Sequence, residues 1–352
     1  MDNIKKKYFL AANSCEGFVS YFNTAYDPYD GWRAYIIKGG PGTGKSTFMK
    51  KVALVAEEKG IEGHLCPCSS DPDSLDAVIF PQIKTVIIDG TSPHTVDPIY
   101  PAVVDEILNF GQFWDKTKLT DCNIIKITDK NKALHKTASK YLFAARHLLK
   151  DNCNTVMRAV DKAKVNCFAE RLCGRYLKGK GSGAEEKIRF LTGVTPKGIV
   201  SFEETIFSYC DTPIIINDNY GCISSIIFKK IKDKALENEY KIITFKNALL
   251  PELIDHIVIP ELELAFVREN EYFNVKADIR RIHSTRFIDK ELLKARKIRY
   301  NSKTAKKLLN SAVETLGEAK TVHDELEKYY AKAMDFDALL EFQKAFSEEL
   351  LK

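Results

Sequence analysis

The chain repeats itself at a fixed spacing. Residues 36–89 align without a gap onto residues 215–268, 179 positions further on, with 11 identities in 54 positions, where about three are expected by chance. A shift of 181 positions lays residues 7–21 onto residues 188–202 with five identities in 15. Repetition at this length indicates that one folding unit has been duplicated. The sequence therefore predicts two units built on one plan.

The first repeat carries a glycine-rich motif, KGGPGTGKST, between a short apolar run and an amphipathic stretch. The run at residues 33–38 is typical of a buried strand, and the stretch after the motif has apolar residues at helical spacing up to Gly60. Residues 39–46, called the glycine loop below, match the Walker A pattern of P-loop NTPases, in which glycines let the backbone approach phosphate at a helix N-terminus. The predicted nucleotide-binding residues are Gly39, Gly40, Pro41, Gly42, Thr43, Gly44, Lys45, Ser46 and Thr47.

The chemistry expected of this motif assigns roles to particular side chains. Lys45 would contact the β- and γ-phosphates, and the Ser46 hydroxyl would ligate Mg²⁺. Asp89 ends the apolar run TVIID, a Walker B pattern, and would hold the same metal through water. Asp71 and His94 follow strand candidates in the polar segments SSDPDS and GTSPHT, and they are further catalytic candidates. No glutamate follows Asp89, so the usual water-activating acid is absent from that position, and either Asp71 or His94 would have to serve or catalysis would be slow.

The second repeat lacks these groups. In the alignment of the two repeats, the positions of five predicted site residues are occupied by different residue types. Asp218, Ile223, Ser224, Leu250 and Arg268 stand in place of Gly39, Gly44, Lys45, Asp71 and Asp89. Without a phosphate lysine, and with a carboxylate where phosphate oxygens would lie, the second repeat is predicted not to bind a nucleotide. The residues Pro72, Asp76 and Pro81 are shared by both repeats, which favours turn and cap roles for them.

The predicted fold class is α/β, with two tandem P-loop NTPase-like units of three α/β/α layers that arose by internal duplication. The first unit would occupy residues 1–180 with the intact loop, and the second, degenerate unit residues 181–352. Helical periodicity from about 129 to 177 and from about 300 to 352 predicts a helical segment after each sheet. The glycine-rich, basic stretch at 174–189 predicts an exposed linker between the halves.

Composition limits the setting and the partners. The 352 residues are 45% hydrophobic and 29% charged, with no uncharged apolar run of about 18 residues, so we expect a globular cytoplasmic protein with no membrane partner. The net charge of +5 is spread along the chain, and a nucleic-acid partner is unsupported. Nine scattered cysteines predict reduced thiols instead of a disulfide framework or a zinc site.

The motif KGGPGTGKST, the segment CSSDPDSLDAVIFPQIKTVIIDGTSPHTVDPIYP and the later TPKGIVS together resemble a group of duplicated bacterial P-loop proteins. Members of that group are generally labelled ATPase, mostly without an assigned biological function. The resemblance covers essentially the full chain, and it implies a P-loop α/β fold with ATP bound by Lys45, Ser46 and the glycine loop. In that group the second half often has a better-preserved phosphate loop than DNYGCISS, a departure that argues against a second nucleotide site here.

These residues favour an Mg²⁺-dependent nucleoside triphosphatase, an enzyme that hydrolyses a phosphoanhydride bond of ATP or GTP. Two alternatives stay open. One is a small-molecule or nucleotide kinase, in which Asp71 orients an acceptor hydroxyl. The other is a nucleotide-sensing protein with little turnover, which would contact an unidentified protein partner through its degenerate half or its helices.

Overall fold

The computed structural model describes residues 6–92 and 95–352. Its strands, in chain order, are β1 (Ala11–Ser14), β2 (Gly17–Ser20), β3 (Arg33–Lys38), β4 (His64–Pro67), β5 (Leu75–Phe80), β6 (Thr85–Asp89), β7 (Asp105–Asn109), β8 (Glu185–Arg189), β9 (Thr192–Thr195), β10 (Gly198–Ser201), β11 (Ile214–Asn217), β12 (Lys241–Lys246), β13 (Ile254–Ile259), β14 (Leu264–Glu269) and β15 (Arg281–His283). Its helices are α1 (Lys45–Glu58), α2 (Asn123–Met157), α3 (Lys162–Tyr176), α4 (Glu204–Phe207), α5 (Cys222–Glu237), α6 (Ala295–Ala333) and α7 (Phe336–Leu350).

The described residues form two compact units that are not consecutive along the chain. The first unit comprises residues 6–92, 95–139, 195–198 and 312–352, and the second comprises residues 140–194 and 199–311. Helices α2 and α6 each contribute residues to both units. The units thus differ from a division of the chain at residue 180, because each contains helical residues from the other half.

The sheet of the first unit has the strand order β4-β5-β6-β3-β7. Strand β3 runs parallel to β6 and β7, whereas β5 is antiparallel to both β4 and β6. The strand predicted at residues 33–38 is confirmed as β3, the strand candidate before SSDPDS, at residues 61–68, as β4, and the run TVIID as β6; the structure adds β5 and β7. Because β3 and β6 are parallel neighbours, the glycine loop and Asp89 leave the sheet at the same edge.

The sheet of the second unit has the strand order β15-β11-β14-β13-β12-β8. Strands β11 to β15 take the same order and the same relative directions as β3 to β7, and β8 pairs in parallel with β12 at the edge. The linker predicted at residues 174–189 is wrong at both ends, because helix α3 continues to Tyr176 and residues from Glu185 form β8.

Apolar burial explains why helix α1 packs where it does. Phe48, Met49, Val52 and Ala56 recur at helical spacing and are all buried, which covers strands β5 and β6 on one side and helix α7 on the other. Full burial of each large apolar side chain contributes about 1.5–3 kcal/mol relative to exposure. The amphipathic pattern of the sequence therefore fixes which face of α1 is buried.

The second unit repeats this packing with helix α5. Ile227, Phe228 and Ile231 are buried on α5, which packs on strand β13 and on helix α3. The helices predicted after each sheet are confirmed as α2 and α3, and as α6 and α7. Over residues 6–92 and 95–352, no helix combines the length and the apolar character needed to cross a membrane.

Candidate functional site

The glycine loop joins the end of strand β3 to the start of helix α1. Helix α1 begins at Lys45, and its N-cap residue, Gly44, has a φ of +83°. Gly42 also lies in the left-handed region, with a φ of +67°. Side chains with a Cβ rarely adopt these angles, so glycine is required at both positions. The first N–H groups of a helix have no partner within the helix and carry partial positive charge, so this junction suits an anion.

The Lys45 ammonium group is held over this loop. Its Nζ donates to the carbonyl oxygen of Gly40 at 2.7 Å and more weakly to that of Gly39 at 3.5 Å. The Asp89 Oδ2 atom lies 3.6 Å from the same Nζ. Lys45 is only 8% exposed, so its charge is directed at this small polar site and is little screened by solvent. The structure therefore brings together the two residues predicted as the phosphate lysine and the strand-end carboxylate.

Asp89 is positioned by the sheet and by its own turn. The parallel register pairs Ile37 with Asp89, so the carboxylate lies level with the last residues of β3 before the loop. Its Oδ1 atom accepts a hydrogen bond from the Thr91 N–H at 2.9 Å. This bond orients one carboxylate oxygen and leaves the other facing Lys45.

The two hydroxyl residues of the loop have different partners. Thr43 is fully buried and donates to the Gly40 carbonyl oxygen at 2.8 Å, which closes the loop on itself. Ser46 Oγ accepts from the Leu75 N–H at 2.9 Å. The second unit contains the same bond, between Ser225 Oγ and the N–H of the residue that begins β13. The bond to Ser46 therefore belongs to the scaffold, and the Ser46 hydroxyl proton and remaining lone pair are left for other partners.

The residues at the loop fit a magnesium ion that also binds nucleotide phosphates. Within the described residues, no group of three or more His, Cys, Asp or Glu side chains is arranged to hold a metal by itself. Mg²⁺ commonly takes one or two carboxylates, with water and substrate phosphates filling the rest of its coordination shell. Ser46 and Asp89 supply a hydroxyl and a carboxylate at the same sheet edge. Such a donor set suits a metal brought in with a nucleotide.

The remaining predicted site residues are placed differently. Asp71 lies in the hairpin between β4 and β5, where Oδ2 accepts from Ser74 Oγ at 2.8 Å and lies 3.5 Å from Lys320 Nζ. Its contacts are with the turn and with helix α6. His94 falls outside the described residues, and its role stays a prediction. Thr47 is exposed in the first turn of α1.

Asp76 lies inside a strand next to the candidate site, a position that the sequence did not predict. The shared position predicts a turn or cap residue, but the structure places Asp76 inside strand β5. The antiparallel register pairs Ala77 with Ile88, and the next step sets Asp76 opposite Asp89. Asp76 is 1% exposed, and burial together with this carboxylate raises the pKa of the Cys68 thiol. The register thus places an acidic residue next to the strand-end carboxylate, a position that only the strand pairing reveals.

The second loop, residues 218–225, is filled by one of its own side chains. The Asp218 Oδ2 atom accepts hydrogen bonds from the Ile223 N–H at 3.0 Å, the Ser224 N–H at 2.9 Å and the Ser224 hydroxyl at 3.0 Å. Asp218 is fully buried. A carboxylate therefore satisfies the N–H groups at the start of helix α5, which is where an anion would bind.

A cation accompanies this carboxylate, but it comes from a strand. Arg268 Nε donates to the carbonyl oxygen of Asp218 at 2.8 Å, and Nη2 donates to that of Asn219 at 3.1 Å. These two carbonyls belong to the residues that align, at the shift of 179 positions, with Gly39 and Gly40, whose carbonyls accept from Lys45 Nζ. Arg268 also pairs with Asp255 through Nη1. Burial alone would lower the pKa of Arg268, but Asp255 and Asp218 raise it above its usual value.

No protein-family model, curated protein or solved structure matches this chain. The informative comparison is therefore internal, between residues 39–46 and residues 218–225. Both loops hold a cation on the first two loop carbonyls, but only the second supplies its own anion. The contrast singles out the glycine loop as the place where an external anion would fit.

The C-terminal helices lie directly on the glycine loop, which sequence reasoning did not anticipate. A Cβ added to Gly40 would lie 2.5 Å from the Tyr330 ring, and one added to Gly42 would lie 2.6 Å from the Glu327 carbonyl oxygen. Tyr330 also contacts Trp114, with ring centroids 5.7 Å apart. The glycines thus allow close approach of helix α6, in addition to the turn of the loop itself.

His256 gives a prediction for the dependence of stability on pH. Burial, and then the charge of Arg268, lower the pKa of His256 well below its usual value. The folded protein keeps this imidazole neutral, while the unfolded chain binds a proton below about pH 6.5. The second unit should therefore lose up to about 1.4 kcal/mol per pH unit as the pH falls below that value. Urea unfolding between pH 7 and pH 5 measures this slope.

A matched pair of variants isolates the contribution of His256. His256→Gln should flatten the loss of stability on acidification, because the amide does not titrate. His147→Gln, at an exposed position of helix α2, should leave the slope as it is in the wild type. An equal slope in wild type and His256→Gln would show that other groups cause the acid sensitivity.

Proposed function

We propose that this protein binds ATP or GTP with Mg²⁺ at the glycine loop and hydrolyses the terminal phosphoanhydride bond. The observation that carries the proposal is the position of Lys45 Nζ, 2.7 Å from the Gly40 carbonyl oxygen and 3.6 Å from Asp89 Oδ2. An ammonium group, an anion-accepting helix N-terminus and a strand-end carboxylate at one sheet edge are the groups that phosphoryl transfer requires in P-loop enzymes.

The cationic and anionic residues of the site would have different roles. Lys45 and the N–H groups at the start of α1 would stabilise negative charge on the phosphate oxygens. Mg²⁺, when bound, would neutralise charge on the β- and γ-phosphates, and Ser46 and Asp89 would hold it. The side chain of Asp89 faces Lys45, so a nucleotide would compete with this contact for the ammonium group.

We also propose that the two units descend from one duplicated P-loop-type α/β unit, and that the second has lost its nucleotide site. The matching strand orders and directions support common descent. The hydrogen bonds of Asp218 to the N–H groups of α5, and of Arg268 to the loop carbonyls, support the loss of the site. A carboxylate and a guanidinium there would have to be displaced before phosphate could enter.

Nucleotide sensing is the second candidate function, and the contact between helix α6 and the glycine loop favours it. A nucleotide that enters beside Gly40 and Gly42 would change what Tyr330 and Glu327 touch. Binding could then alter the C-terminal helices without turnover. The kinase alternative gains no support from Asp71, whose carboxylate contacts Lys320.

Replacing Lys45 with alanine tests the proposal. Lys45→Ala should weaken binding of Mg·ATP by about 10–100-fold, because a charge-assisted hydrogen bond to phosphate contributes about 1.5–3 kcal/mol. Phosphate release should fall with it. Isothermal titration calorimetry measures the affinity, and a phosphate assay measures the turnover.

Lys51→Ala is the matched control, since Lys51 is an exposed lysine of the same helix. It should bind and hydrolyse Mg·ATP as the wild type does. Binding without phosphate release in the wild type would refute hydrolysis and favour sensing. Release that requires an added metabolite, together with a phosphorylated product, would favour the kinase.

A further inference from the structure

Helix α6 presents a polar stripe to the glycine loop. Lys320, Asp324 and Glu327 recur every three or four residues, so they lie on one face of the helix. Lys320 Nζ contacts both Asp71, at 3.5 Å, and Asp324. Further along the same face, Glu327 lies against the glycine loop. The stripe thus runs from the β4–β5 hairpin to the glycine loop.

Glu327 is the residue of this stripe that lies against the glycine loop. Its carbonyl oxygen, Cα and Cβ would all be within 2.9 Å of a Cβ added to Gly42. The imidazole of His323 lies 3.5 Å from Oε1. This imidazole, and then the charges of Lys320 and Lys45, lower the pKa of Glu327, although burial acts in the opposite direction. An ionised carboxylate therefore lies within the electrostatic reach of the predicted phosphate lysine.

The second unit provides a comparison for this helix as well. Arg146, on helix α2, contacts Glu252 of the β12–β13 hairpin at 3.3 Å. Lys320 contacts Asp71 of the β4–β5 hairpin in the same way. Lys320 and Arg146 are 174 residues apart. A cation at this position is common to both units, so Lys320 docks the helix on the hairpin and is not specific to a nucleotide site.

The same spacing of 174 residues also identifies positions at which helices α6 and α2 differ. Glu327 corresponds to Cys153, which is 5% exposed and contacts the Cys222 thiol of the second loop. Tyr330 corresponds to Val156, which is fully buried. The side chain of Glu327 is 39% exposed. Helix α2 is therefore apolar at these two positions, whereas helix α6 carries a partly exposed carboxylate at the first of them.

We propose that Glu327 is the catalytic carboxylate that activates the attacking water, which rests on the proposed hydrolase function. The water oxygen forms a bond to the γ-phosphorus as the bond from that phosphorus to the β,γ-bridging oxygen breaks. The water proton passes to the Glu327 carboxylate, and the products are nucleoside diphosphate and inorganic phosphate. Glu327 thus takes the place of the glutamate that is absent after Asp89, and it comes from the far end of the chain.

Glu327→Gln tests this role because the amide keeps the shape of the side chain and removes the base. Single-turnover phosphate release from Mg·ATP should fall by about 100-fold or more, while the affinity for Mg·ATP stays within about threefold of wild type. Glu325→Gln, at an exposed position of the same helix, should hydrolyse at the wild-type rate. Thermal melting of each variant establishes that the fold is retained.

Three outcomes would overturn the role of Glu327. Release by Glu327→Gln at the wild-type rate would exclude it as the base. Tighter binding with unchanged release would show that the carboxylate only competes with phosphate. A wild-type protein that binds Mg·ATP and releases no phosphate would refute the hydrolase function itself, and the wild-type measurement alone identifies that case.

Discussion

Replacing Arg268 with alanine is expected to lower the free energy of unfolding of the second unit by about 3–5 kcal/mol, the usual cost of removing one partner from a buried ion pair. Arg268 and Asp255 are each 7% exposed and in contact, and Asp218 is fully buried. Without the guanidinium, the buried Asp255 carboxylate and the loop carbonyls of Asp218 and Asn219 lose a donor, and the Asp218 carboxylate loses a nearby positive charge. Urea denaturation followed by circular dichroism measures the change.

Arg146→Ala is the matched control for this variant. Arg146 pairs with Glu252 in the same unit, but these side chains are 25% and 33% exposed. Removal of a pair so accessible to water should cost less than about 1 kcal/mol. Both variants should still bind Mg·ATP, because the glycine loop belongs to the first unit. A loss for Arg268→Ala as small as that for Arg146→Ala would contradict the view that this network holds the second loop together.

The proposed loss of a phosphate site from the second loop is compatible with a stable fold, because the Arg268 network fills that loop. A vacated loop would leave helix N–H groups and inward carbonyls without partners, at about 1–3 kcal/mol for each unsatisfied group. Asp218 supplies the anion and Arg268 supplies the cation. Under the proposal, these two residues would replace the phosphate and the lysine together. Either change alone would bury an unpaired charge.

Much of the first unit could be predicted because its signals are local. The strand at Arg33–Lys38, the helix from Lys45 and the positive φ of Gly60 all follow from a short stretch with an apolar run, a glycine motif and helical periodicity. Strand β5 was not predicted. Its apolar run follows directly on a polar turn, and the run itself does not indicate that the chain reverses there to form an antiparallel strand. Asp76 was misplaced for the same reason.

The pairings that complete the site could not be read from the sequence. The contact between Asp255 and Arg268 depends on the register of two antiparallel strands. The contact between Gly42 and Glu327 joins residues 285 positions apart. Periodicity indicates which face of helix α6 is buried, but it does not indicate what that face packs against. The sequence therefore placed no residue of these helices in the candidate site.

Packing between helices α1 and α7 is expected to stabilise the position of helix α6 on the glycine loop. Phe48, two residues after Ser46, is 2% exposed. Its ring centroid lies 5.2 Å from that of Phe110, 5.3 Å from that of Phe346 and 6.0 Å from that of Phe342. Phe48→Ala should destabilise the first unit by about 3–5 kcal/mol, because truncation of a buried aromatic residue leaves a cavity. Urea denaturation measures the loss, and limited proteolysis should detect release of α7.

Leu54→Ala, on the same helix, is the control for Phe48→Ala. Leu54 is 56% exposed, so its truncation should change stability by no more than about 0.5 kcal/mol. Helix α7 begins three residues after α6 ends, and Glu327 lies in the last two turns of α6. Loosening α7 should therefore reduce phosphate release more than it reduces binding of Mg·ATP, since Lys45 and the loop carbonyls stay in place. Equal losses of binding and release would instead show that Phe48 supports the glycine loop itself.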